Sequence, residues 1–328
     1  MKILVAGAGG FIGGHLVGKL LNEGHEIRAV DIKESNIWFQ RHQGVENLSY
    51  DLNDLKSAEI AVDGVDHVYN LACNMGGMGF ISNHKADCMM SVLINTHLLL
   101  ASKNAKVSRY FFASSACVYP DYRQMDSVIP GLREEDAYPA MPEDGYGWEK
   151  LFSERLCRHY REDFGLETRI ARFHNVYGPE GTFDGGREKV PAAICRKIAN
   201  AIRDNETQIE IWGDGNQTRS FMYIEDCLNG IDKIMHGNFH DPINLGSSES
   251  VSINQLVEIV SKIANQKFTG KHDLTAPQGV RGRNSDNFLI KKVFDWEPSI
   301  SLEKGLKETF DWIKLQIDSG NSYKYSRF

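Results

Sequence analysis

The stretch Tyr146-Gly-Trp-Glu-Lys150 sets a phenol and an ammonium four residues apart, and on a helix residues i and i+4 share a face. A carbinol carbon gives up hydride only as its hydroxyl proton is removed. A phenol with an ordinary pKa near ~10 removes that proton poorly until a neighbouring cation lowers the value. Lys150 is expected to be that cation, and Ser115, at the end of the apolar run Tyr110–Ser115, to hold the hydroxyl. Two residues on, at the mouth of the same run, stands Cys117, a thiol whose unperturbed pKa is near ~8.5. Such a group can take hydrogen from a carbon beside a ketone, where enolate formation makes the C–H bond acidic. Inverting that carbon also requires a proton donor on the opposite face. Lys189, in Gly185-Gly-Arg-Glu-Lys189, is the candidate.

A second constellation, Gly7-Ala-Gly-Gly10-Phe11-Ile12-Gly13, separates an apolar run from a helical pattern. Glycines there allow a tight turn, close backbone approach to a pyrophosphate and close helix–strand packing, while the helix N-terminus offers free N–H groups to the anion. Asp31 closes the next run. A carboxylate at that point accepts both ribose hydroxyls of NAD and repels the 2′-phosphate of NADP. Lys33 works against this preference, but NAD is the expected cofactor.

The elements that must position these groups alternate. Strands are expected at Lys2–Ala8, Glu26–Asp31, Asn47–Leu52, His67–Ala72, Tyr110–Ser115 and Thr168–Phe173. Helices are expected at Phe11–Asn22, Asp87–Ala105 and Tyr146–Phe164. Such alternation demands crossovers and hence an α/β fold, a doubly wound parallel sheet of the Rossmann type over residues 1–174. Beyond it the pattern loosens into loops rich in Gly, Pro, Asn and Arg. Helices near Lys189–Ile202, Glu225–Met235, Ile253–Ala264 and Leu302–Leu315, with short strands at Ile209–Trp212, Ser220–Ile224 and Ile243–Leu245, predict a smaller α/β substrate domain over 175–328, with some exchange of chain between the two. Asn321–Phe328 reads as a frayed tail.

Composition narrows the partners. A chain of 328 residues with 41% hydrophobic content and a net charge of −7 has neither a basic block for nucleic acid nor an apolar stretch long enough for a membrane span. The sequence opens on a strand, which predicts a cytoplasmic protein. Six cysteines are scattered without metal-ligand spacing, so neither a metal site nor a disulfide framework is expected.

The G-x-x-G-x-x-G spacing and the Ser–Tyr–Lys set resemble the short-chain dehydrogenase/reductase superfamily, in particular its extended, nucleotide-sugar-modifying branch. "CNMGGMGF" (73–80), "SSACVYP" (114–120), "RFHNVYGPEGTFDGGREK" (172–189), "WGDGNQTRSF" (212–221) and "GVRGRNSDN" (279–287) are, in that order, similar to the GDP-mannose 3,5-epimerase family. The resemblance implies that Ser115, Tyr146 and Lys150 oxidise and re-reduce C4 with bound NAD, and that Cys117 and Lys189 invert C5 and C3. It implies adenine contacts from Asp51 and Leu52. It implies sugar-nucleotide contacts from Gly76, Ser114, Ser115, Cys117, Asn175, Glu188, Lys189, Lys197, Gln217, Arg219 and one or both of Arg281 and Arg283. It also implies a homodimer built on the helices at 87–105 and 146–164. The branch's dehydratases carry Asp-Glu where this chain has Ala116-Cys117, which disfavours elimination. The plant pattern has Ala-Asp where this chain has Cys73-Asn74, and loss of a carboxylate there bears on which hexose is preferred and on the balance between 5- and 3,5-epimerisation. A 4-epimerase, or a 3,5-epimerase of another nucleotide sugar, is the nearest alternative; a silent NAD-binding regulator would not need the intact Ser–Tyr–Lys set.

Overall fold

The computed structural model describes residues 1–321; residues 322–328, the greater part of the expected tail, lie outside the described residues. In chain order the first half runs β1 (Lys2–Ala6), α1 (Phe11–Asn22), β2 (Glu26–Asp31), β3 (Glu46–Ser49), α2 (Leu55–Val62), β4 (His67–Asn70), α3 (Met78–Asn83), α4 (Lys85–Met89), α5 (Val92–Asn104), β5 (Arg109–Ser115), α6 (Tyr146–Phe164) and β6 (Glu167–Phe173). The second half runs β7 (Asn175–Tyr177), α7 (Val190–Asp204), β8 (Gln208–Trp212), β9 (Thr218–Tyr223), α8 (Ile224–His236), β10 (Ile243–Leu245), β11 (Ser250–Ser252), α9 (Ile253–Ile263), β12 (Thr269–Asp273), β13 (Gly282–Arg283), α10 (Phe288–Phe294) and α11 (Leu302–Asp318).

Seven strands form one parallel sheet in the order β10-β6-β5-β4-β1-β2-β3. Both faces are covered, so its strands are largely buried, and the polar side chains they carry inside, such as Arg172, are paired. Side chains alternate between the faces: Ile3 and Val5 join one core, Leu4 and Ala6 the other. The first core continues without a break into Ile194, Ile198, Leu256 and Phe310, so the two halves share it. The second half adds a small sheet of β11, β9 and β13, with β7 beside β9, and the pair β8–β12.

Two features of the fold concern the site. The helix expected at 87–105 is divided at Met90–Ser91, where the Ser91 hydroxyl accepts a hydrogen bond from the Asn74 N–H at 2.9 Å. And the sheet draws its outermost strand from the second half, with Ala171–Phe173 paired to Ile243–Leu245.

Candidate functional site

The C-terminal ends of β1, β2, β4, β5 and β6 open into one cavity of about 730 Å³. At one end lies the glycine turn. Gly7 has φ +83°, and a Cβ on it would stand 2.9 Å from the Ala72 nitrogen; a Cβ on Gly13 would run into the Gly7 carbonyl. Gly10 caps α1 with no side-chain bond, which leaves the first-turn N–H groups, including those of Phe11 and Ile12, open to an anion. Asp31 is buried and accepts from the Gly9 N–H at 3.0 Å and the Lys33 N–H at 3.1 Å. Burial pushes its carboxyl above the ordinary range, against the pull of Lys33. Asp51 and Leu52 line the same end. A glycine cradle, a helix N-terminus and a strand-end carboxylate together fit the diphosphate and ribose of a dinucleotide.

Midway stands the redox group. Tyr146 opens α6 beside Ser115, whose Oγ accepts from the Cys117 N–H at 3.2 Å. Gly147, the next residue, is pressed against the Cys117 carbonyl so closely that a Cβ there would collide with it. The Glu143 N–H donates to the same carbonyl at 3.0 Å. Lys150 lies one turn on, its Nζ 4.8 Å from the centre of the Phe112 ring and 5.4 Å from that of Tyr146.

The expected lowering of the Tyr146 pKa by Lys150 is opposed by the rest of the pocket. Burial pushes the phenol well above its ordinary value, and the thiols Cys73 and Cys117 and the Glu149 carboxylate push the same way. The buried Glu149 carboxylate sits 3.4 Å from Lys150 Nζ and offsets its charge. Burial drives the Lys150 ammonium down, but Glu149 more than restores it, so Lys150 stays charged.

At the far end, Cys117 is buried and its Sγ accepts from Arg283 Nη1 at 3.4 Å; Arg283 is held in turn by its Nε–H to Gln124 Oε1 at 2.6 Å. Lys189 donates to the Gly76 carbonyl at 3.4 Å. Burial lowers the Lys189 ammonium below its ordinary value, partly countered by Cys117. A lysine so shifted exchanges its proton more readily near neutral pH.

The remaining sequence-based site residues divide. Gly76 and Asn175 line the cavity with Ser115, Cys117, Lys189 and Arg283; Glu188, Lys197, Gln217, Arg219 and Arg281 do not. Arg281 forms a two-pronged ion pair with Asp214 at 2.8 and 2.7 Å. Arg219 donates to the carbonyls of Thr218, Gln278 and Val280, with its guanidinium pushed down to about 9 by burial and by Arg283. Lys197 pairs with Glu210, and Glu188 accepts from Gly186 N–H and Arg196. Gln217 donates to the Trp212 carbonyl, while its Oε1 is buried without a partner. Ser114 borders the cavity, but its hydroxyl donates to Glu154 at 2.5 Å, inside the buried Glu154–Arg172 ion pair. Its side chain therefore serves the scaffold. Sequence reasoning passed over Cys73, hydrogen-bonded to Tyr146, and Arg187, stacked 3.8 Å from the centre of the Phe80 ring. Arg187's place inside Gly-Gly-Arg-Glu-Lys was the available signal. Among the described residues no cluster of His, Cys, Asp and Glu could hold a metal ion, and no helix is long and apolar enough to cross a membrane.

Known proteins share this plan. Over 319 residues the chain is 45% identical to GDP-mannose 3,5-epimerase of Arabidopsis thaliana, covering 97% of this chain and 83% of the relative. In fold it is similar to UDP-glucose 4-epimerase of Thermotoga maritima, solved with UDP-glucose (TM-score 0.87, 24% identity, 97% of this chain and 100% of that one). It is likewise similar to UDP-glucuronic acid 4-epimerase of Bacillus cereus, solved with UDP-glucuronic acid and NAD (TM-score 0.82, 24% identity, 96% and 99% covered). Residues 3–246 match the model of one family across the whole sheet, and with the glycine cradle, Asp31 and the Ser115–Tyr146–Lys150 group in register on that sheet, the chain belongs to the NAD dependent epimerase/dehydratase family.

Proposed function

We propose that this enzyme converts GDP-D-mannose to GDP-L-galactose, with GDP-L-gulose as the product of inversion at C5 alone. The observation that carries the reading is the convergence of Tyr146, Cys117 and Lys189 on one cavity, with Lys150 buried against the Tyr146 ring. It is supported by the 45% identity to a GDP-mannose 3,5-epimerase over nearly the whole chain. Residues 1–174 hold the cofactor in this reading and 175–328 the sugar nucleotide.

Bound NAD supplies reversible oxidation at C4. Ser115 orients the C4 hydroxyl and Tyr146 takes its proton, Lys150 holding the developing phenolate by its charge. The resulting ketone acidifies the hydrogens on C5 and C3. One of Cys117 and Lys189 removes such a hydrogen and the other returns one to the opposite face. Arg283, donating to the Cys117 sulfur, holds it in place beside the sugar. Tyr146 finally returns its proton to the C4 oxygen, so the protein ends the cycle in the protonation state in which it began.

We further propose a cytoplasmic homodimer. Met89, Met90, Trp148 and Phe152, on and beside α4 and α6, are all exposed apolar side chains, which supports the helical face expected from the resemblance. Six free cysteines suit a reducing compartment. The test of the reaction is incubation with GDP-, UDP- and dTDP-hexoses in D₂O without added NAD. Deuterium at C5 and C3 of GDP-mannose is expected; exchange only with other sugars, or dependence on stoichiometric NAD, would sink the proposal.

A further inference from the structure

Arg187 belongs to neither chemical pair, yet it lines the same cavity. It is half-buried and lies flat on Phe80, and it donates from Nη1 alone, to Asn74 Oδ1 at 3.2 Å and to the Met75 carbonyl at 3.5 Å. Among the described residues, Nε and Nη2 have no acceptor, and no carboxylate pairs with it. A guanidinium carries five N–H donors in a fixed fork that matches phosphate oxygens. Its two unused nitrogens are open to the cavity and free to take an anionic ligand.

The surrounding charges say which ligand. Lys189 and Arg283 form one group of cations, each near the other and near Cys117, at the sugar end. Arg187 packs beside Gly76 on the loop that follows β4, and the cation its charge opposes is Lys33. Lys33 is anchored to the glycine turn by its Nζ donating to the Gly9 carbonyl at 2.7 Å. The loop that Arg187 grips, Asn74–Met75, follows Ala72, against which Gly7 packs. Arg187 and Lys33 are thus two cations lining the cavity into which the glycine turn opens.

We infer that Arg187 is a clasp for the dinucleotide's diphosphate, reaching from the loop before α7 onto the anion that the glycine turn holds from below. The clasp belongs to the second half of the chain, so cofactor retention depends on both halves. The inference rests on the family's cofactor and is independent of which sugar is the substrate.

The experiment starts from holoenzyme as purified and follows NAD content per chain and the rate of NAD release after dilution. Arg187→Met keeps an unbranched stem over Phe80 and removes the fork; Arg187→Lys keeps the charge. Release about ten- to a hundredfold faster is expected for Arg187→Met, from the loss of charge-assisted bonds, with Arg187→Lys between it and wild type. Added ADP-ribose should raise the unfolding temperature of NAD-stripped wild type more than that of Arg187→Met, whereas adenosine should act on both alike. Unchanged NAD release overturns the clasp, and if it is accompanied by a raised KM for the sugar nucleotide, the fork serves the sugar end instead. Equal NAD loss in both variants, with a lowered unfolding temperature of the NAD-stripped protein, also overturns it and assigns Arg187 to the scaffold.

Discussion

The two ends of the cavity are built from different materials. At the dinucleotide end the ligand meets mostly backbone from the first two strands and the helix between them: a glycine turn and the first N–H groups of α1, with the strand-end carboxylate Asp31 and, beside them, Asp51 and Leu52. At the sugar end it meets side chains from loops far apart in the chain; Cys117 and Arg283, in hydrogen-bond contact, are separated by 166 residues. A backbone site is defined by where a few glycines fall and tolerates drift elsewhere. A side-chain site exists only once distant segments have closed on one another, and there reaction and sugar specificity can change without disturbing the fold.

Tyr146→Phe should have the largest effect, because the phenol connects the two ends: without it C4 is not oxidised and neither epimerisation nor deuterium exchange is expected. Ordinary turnover in that variant would break the comparison by removing the shared step. Cys117→Ala should confine damage to the sugar end, lowering turnover by roughly 10²–10⁴-fold. It should still oxidise C4, visible as reduced-nicotinamide absorbance on adding substrate. Loss of that absorbance would mean the thiol also serves the redox step. Gly13→Val tests the backbone end: the added side chain meets the Gly7 carbonyl, so a loss of about 1–3 kcal/mol in stability and a poor NAD content on purification are expected. Near-normal NAD content would show that the turn has slack its geometry does not suggest.

The two neighbouring arginines sharpen the contrast at the sugar end. Arg283→Ala removes the donor to Cys117 as well as a cation, so kcat/KM should fall about ten- to a hundredfold, with kcat affected. Arg281→Ala removes only a half-exposed ion pair with Asp214 and should change kcat/KM by less than about threefold. Steady-state kinetics on both decide it; equal losses would place Arg281 in the site.

Much of the dinucleotide end was legible because its signals are local. Phe11–Asn22, Glu26–Asp31 and Tyr146–Phe164 were read to the residue, the last bounded by Gly145 and by Gly165 in the left-handed region. Ser114 borders the cavity without offering its hydroxyl to it, and strand alternation carries the reason: adjacent residues of β5 face opposite sides, so when Ser115 faces the cavity the Ser114 hydroxyl turns to Glu154. Arg281 and Arg283 could not be separated, because what distinguishes them is Asp214 and Gln124, partners fixed by tertiary closure. Nor could the acidity of Tyr146, which is set by burial among thiols and by Glu149 and not by its spacing from Lys150.

The pairing of β10 with β6 sets an order of events during synthesis. Growing from its N-terminus, the chain makes β1 to β6 well before Ile243–Leu245, so the Glu167–Phe173 edge waits with bare amides and carbonyls until the later segment arrives. Contacts of such long sequence separation form slowly, and open edges invite pairing with other chains. A fragment ending near residue 174 would keep that edge permanently. It is expected to collect in aggregates, and adding a peptide that spans Ile243–Leu245 should reduce them.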